Sequence, residues 1–306
     1  MHLSTIHWRC WPHCLRRRLV ITNKSPNAST QASPQSSAAA PLALWLVLLA
    51  AAGTFALTMG TRQTMGLFLS ALNTSTALGI GSISLAFAFG QLWWGLTQPF
   101  AGAVADRIGT GRVILLGVAL VALGTFITPY MTTTWGLIFA IGVLAAGGAG
   151  MAGPSVLMAA TARLVPAHRR GLASGIVNAG GSFGQFVMAP ISISLTAAVG
   201  WASAMQWLGV MVLLTLPAAW ALKGNSNALA AQAAAASGQK ALTAREAVAQ
   251  ALATPSYRYL ALGFLVCGFH VAFLATHLPG VIAACGLPPE VGGWALAVIG
   301  LFNIIG

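Results

Sequence analysis

A chain of 306 residues that is 57% hydrophobic and only 6% charged is not an ordinary soluble domain, where roughly a quarter of residues are charged. Its 15 lysines and arginines face only three acidic residues, for a formal net charge of +12. In so apolar a chain this excess points to membrane orientation and anionic lipid, not to a nucleic-acid footprint.

The chain opens on a basic tail, residues 1–41, read as a disordered cytoplasmic extension. Residues 1–19 are rich in basic groups, Trp and His and have no apolar core, so they form no signal peptide. Residues 25–40 have the Ser, Ala, Pro and Gln composition of a linker. Cys10 and Cys14, with His7 and His13 nearby, match no common zinc spacing, and no metal or other cofactor is expected. Cys267 and Cys285 are expected to be packing residues rather than a disulfide.

Seven apolar runs then follow, and the start of an eighth: residues 42–69, 83–104, 113–130, 135–162, 172–199, 202–222, 259–282 and 291 onward. A membrane helix needs roughly 17 to 25 such residues. These runs are too long and too uniformly apolar for barrel strands, so an all-α integral membrane bundle is expected. The first six spans (42–222) are separated from the rest by a polar, Ala-rich stretch (223–256). Within that stretch, residues 243–253 have the pattern of a short amphipathic surface helix. Residues 257–306 would begin a second bundle. Sixteen residues from Val291 rise only about 24 Å, short of the roughly 30 Å hydrocarbon thickness. The expectation is a fragment or a broken gene.

Positive charge falls on one side of these spans. Arg107 and Arg112 follow the second; Arg163, Arg169 and Arg170 follow the fourth; Lys223, Lys240, Arg245 and Arg258 follow the sixth. The tail joins this side with Arg9, Arg16, Arg17, Arg18 and Lys24, and the other side has only Arg62. The positive-inside rule makes the amino terminus cytoplasmic in an inner (plasma) membrane.

Between spans two and three runs Gly102-Ala103-Val104-Ala105-Asp106-Arg107-Ile108-Gly109-Thr110-Gly111-Arg112. A carboxylate and two guanidiniums among glycines are costly at a membrane boundary without a role. The stretch resembles the cytoplasmic loop motif of the major facilitator superfamily of solute transporters. The resemblance implies two six-helix halves moving by alternating access, with only the first one or two helices of the second half present. It further implies that Asp106 closes a cytoplasmic gate, that Arg107 and Arg112 orient it, that Gly102 lets helices approach closely, and that Gly109 permits the turn. The sequence departs from the family pattern in placing Thr110 and Gly111 before Arg112. Residues 60–68, 94–99, 267–270 and 276–279 are similar to bacterial relatives of the monocarboxylate transporters, with the oxalate–formate exchangers as neighbours. That similarity implies an anionic monocarboxylate; a neutral or drug-like solute, or an inactive membrane protein, is the alternative.

The candidate pocket can be read from the residues themselves. Thr54, Thr58 and Arg62 recur at four-residue spacing on one helical face. A buried guanidinium holds a carboxylate through two parallel hydrogen bonds; a guanidinium near a span end also snorkels to headgroups, and both readings stand. Gln91, Trp94 and Gln98 share a face suited to a polar cavity or to pairing with neighbouring helices. Ser174, Asn178, Ser182 and Gln185 line span five beside Gly180 and Gly184, and Gly142, Ala146 and Gly150 recur in span four. Both sets read as packing surfaces. His270 and His277, seven apart, are candidates for a structural or a proton-coupling role, and Asn303 for the cavity wall. No clustered carboxylates, metal spacing or activated nucleophile suggests an enzyme. The expected partners are a small-molecule substrate, protons and lipid, not nucleic acid, and the expected state is a monomer.

Overall fold

The computed structural model describes residues 41–222 and 244–305. The tail, with its cysteine–histidine group and its five basic residues, lies outside the described residues, as do Lys223 and Lys240. The described residues are helical, with no strand among them.

The first span is longer than its apolar run. Helix α1 (Pro41–Thr64) passes through a 3₁₀ turn (Met65–Phe68) into α2 (Leu69–Thr76), making one stretch over Leu44–Thr76. Hydropathy falls near residue 69, but the helix does not need it. Thr74 and Thr76 return their hydroxyls to the carbonyls of Ser70 and Leu72 at 3.0 and 2.7 Å, and the helix stops only where Ala77 turns left-handed. Span two is α3 (Ile80–Ile108) and span three is α4 (Thr110–Ile127). Span four combines α5 (Thr134–Leu137), a nine-residue π-helix (Ile138–Ala146), α6 (Gly147–Met151) and α7 (Pro154–Leu164). Span five is α8 (Arg170–Val199); span six is α9 (Trp201–Leu213) with α10 (Leu216–Ala221). The expected surface helix is present as α11 (Ala244–Ala253), followed by α12 (Pro255–Ala284) and α13 (Pro289–Ile305).

Six stretches are long and apolar enough to cross a bilayer, one fewer than the apolar runs suggest. The difference is α3, which is 29 residues long but interrupted by Gln91, Thr97 and Gln98. Of these polar residues, Gln91 lines an interior cavity.

Glycine sets the helix spacing. A Cβ on Gly180 would lie 2.5 Å from the Ala52 carbonyl oxygen, and one on Gly184 would lie 2.0 Å from that of Ala56, so α8 meets α1 backbone to backbone. Span four packs on two sides. Gly142 and Gly150 face Phe89, Trp94 and Thr97 of α3, while Gly148 faces Gly117 and Val121 of α4. Although Asn178 of the polar stripe in span five is exposed, the packing expectation for the glycines of both stripes holds. That for the cysteines does not: Cys267 and Cys285 are free and exposed, because their faces meet no other described helix. Large apolar side chains such as Trp135 (80% exposed) and Phe100 (70%) cover the perimeter, as expected where the surrounding solvent is hydrocarbon.

Candidate functional site

Arg62 stands two residues before the end of α1, where the chain tightens into the 3₁₀ turn. Its Nη2 donates a hydrogen bond to Oε1 of Gln91 on α3, and its guanidinium carbon lies 4.5 Å from the centroid of the Trp94 ring on the same helix. Amide and indole face thus hold the cation from two sides. In this arrangement the guanidinium is held against α3 within the bundle.

The charge has no internal counter-ion. The three acidic residues are Asp106 at the far end of α3, Glu246 on α11 and Glu290 in the first turn of α13, and none lines the cavity around Arg62. Fifteen residues of helix separate Gln91 from Asp106, roughly 22 Å. Burying a guanidinium without a partner anion costs several kcal/mol, and an amide and a ring offset only part of that.

Around the guanidinium lies a cavity of about 30 Å³, walled by α1, α3, α4, the π-helix and α12. Polar groups enter it from Arg62, Gln63, Gln91, Thr125 and Thr276, and the remaining wall is apolar or glycine. That is the space of about one water molecule. Gly66 closes one side, since a Cβ there would lie 2.1 Å from the Ala275 carbonyl oxygen of span seven. Anything much larger than water enters only if these walls part. Two larger cavities, of about 350 and 260 Å³, lie elsewhere; the first is an apolar groove between α1, α8 and α10.

Four buried polar atoms have no hydrogen-bond partner among the described residues: the hydroxyls of Thr61 and Thr125, Nε1 of Trp94 and Nε2 of Gln185. Leaving such a group unpaired costs about 1–3 kcal/mol. Three of the four are on the cavity wall or on residues flanking or stacked on Arg62.

The structure brings Arg62 and Gln91 together and leaves the other expected residues apart. Thr58 is buried one turn away, its hydroxyl bonded to the Thr54 carbonyl at 2.8 Å. Gln98 lies two turns further along α3, off the cavity. His270 is exposed with Nδ1 2.8 Å from the Val266 carbonyl; His277 packs on Phe273, with ring centroids 5.2 Å apart. Asn303 is exposed on α13. Gln63, Thr125 and Thr276 were not foreseen: a lone threonine in an apolar run carries little signal.

At the other end of α3, Gly109 has φ +98° and joins α3 to α4 in a single residue, as the turn requires. Asp106, Arg107 and Arg112 are exposed there, and Asp106 and Arg107 are both engaged by neighbouring groups. Gly102 needs correction. A Cβ built on it meets nothing within 4 Å among the described residues, so it marks no close approach here. The contact falls instead on neighbouring small residues of the same helix, Ala101 and Ala105, which are buried.

Helical packing, apolar perimeter and charged turn agree with one family. The model of the Major Facilitator Superfamily matches residues 26–306. The chain belongs to the Major Facilitator Superfamily. Like other members of the superfamily it is a multi-pass, all-α membrane protein. It is 28% identical over 176 residues to monocarboxylate transporter 14 of Mus musculus and, at the same identity and length, to that of Homo sapiens. The match covers 55% of this chain and 33% of each relative, so about a third of the relatives' length is represented.

Proposed function

We propose that this superfamily member is a secondary transporter that moves a small organic anion, a monocarboxylate, by alternating access. The observation that carries this reading is the guanidinium of Arg62, turned into the bundle, held by Gln91 and Trp94, and lacking a carboxylate. A carboxylate supplied from outside completes the charge balance, and its two oxygens match the guanidinium fork. A neutral solute would leave that charge uncompensated. The 28% identity to proteins named monocarboxylate transporters supports the same class.

The reading includes orientation. With the amino terminus cytoplasmic, Asp106 and its turn lie on the inner face and the Gly66–Ala275 contact on the outer side, so the arrangement described is closed toward the outside. Coupling to protons would fall to His270 and His277, neither of which lines the cavity.

The test is uptake of short radiolabelled monocarboxylates by the intact protein in vesicles. Arg62→Gln should reduce uptake roughly a hundredfold or more, and Arg62→Lys, which keeps the charge but not the fork, should fall between. Unchanged uptake of every carboxylate by Arg62→Gln would discard the proposal.

A further inference from the structure

Threonine hydroxyls inside helices usually bond to their own backbone. Six buried ones here do so: Thr54, Thr58, Thr64, Thr128, Thr161 and Thr215 each donate to a carbonyl three or four residues earlier, at 2.7–3.0 Å. Thr125 departs from this pattern. It sits inside the regular helix α4 with the Val121 carbonyl one turn behind, yet its hydroxyl makes no such bond. The side chain is 0% exposed, its oxygen has no partner among the described residues, and it lines the same cavity as Arg62 from a different helix. Thr61, the other threonine with an orphaned hydroxyl, is not on the cavity wall.

We propose that Thr125 is the second anchor of the anion site, its hydroxyl donating to the carboxylate that Arg62 holds. This rests on the anion reading of Arg62. Gln91 occupies one hydrogen of Nη2, which closes one of the two forks a guanidinium offers and leaves the other for a ligand. That fork satisfies two of the roughly four acceptor positions of a carboxylate, and a third needs a donor from another wall. Among the cavity's hydroxyls, Thr125 is the one both fully buried and orphaned. Because it is held by α4 while Arg62 is held by α1, the anion ties the two helices together when it binds.

The experiment uses propionate, whose only polar group is the carboxylate, with the intact protein in proteoliposomes. Thr125→Val, which keeps the shape and removes the hydroxyl, should raise KM roughly tenfold or more, with maximal rate within about twofold of the parent. Thr125→Ser should restore KM to within about twofold. In the absence of substrate, Thr125→Val should melt no lower than the parent, because it removes a buried unpaired group; a merely structural threonine would melt lower. An unchanged KM in Thr125→Val, with Arg62→Gln still inactive, overturns Thr125 and leaves the anion reading standing. Equal KM increases in the Val and Ser variants also overturn it, since the hydroxyl would then not matter. If Arg62→Gln transports normally, the anion reading fails and Thr125 falls with it.

Discussion

Arginine occurs at both ends of α3's environment, and the two places use it differently. At the charged turn, Arg107 and Arg112 are exposed beside Asp106, where water and a nearby carboxylate satisfy them at little cost. In the interior, Arg62 reaches α3 fifteen residues from Asp106 and finds an amide and an indole instead. The difference lies in the surroundings: one set of charges is cheap and marks the fold, and the other is expensive, which is why the proposed function gives it a ligand. Glycine divides in the same way. Gly66 sits against backbone with no room for a methyl group, whereas Gly102 faces open space among the described residues.

This contrast can be broken by paired substitutions. The largest gap should separate Arg62→Gln from Arg112→Gln. The first should lose roughly a hundredfold in carboxylate uptake, while the second should leave KM within about twofold. Equal effects on KM would erase the distinction. Next comes Gly66→Val, whose new side chain would collide with the Ala275 carbonyl; it should cost about 3 kcal/mol or more, read as a lower melting temperature in detergent. An unshifted melt would mean the contact yields freely. Gly109→Ala should cost about 1–2 kcal/mol in the same assay, because φ +98° is strained for any side chain. Smallest, and opposite in sign, Gly102→Ala should stabilise by up to about 1 kcal/mol, since it adds helix propensity in open space. A destabilised Gly102→Ala would restore the close-packing role that the geometry denies it.

How far the sequence could be read depended on whether one helix or two decided the matter. The spans were legible because each must be apolar over its own length. Arg62 stood out as the one basic residue in an outer half. Its partners did not: Gln91, Trp94 and Gln98 share a face of α3, and which of them meets Arg62 depends on how deep α1 sits beside it, a quantity set by the packing of two helices and not by either alone. The run to Thr76 was missed because apolarity was read as helicity. Thr125 was hidden for a further reason: one threonine in an apolar run reads the same whether it bonds to its own helix or faces a cavity.

The approach of Gly66 to span seven has an evolutionary consequence. Gly66 meets the backbone oxygen of Ala275, which would be there whatever side chain stood at 275. This contact therefore constrains the side chain at 66 alone. Position 275 is held small by its own burial and its place on the cavity wall, not by what stands at 66. The pair would leave no covariation between relatives, and a contact map inferred from correlated substitutions would pass over this approach of span one to span seven.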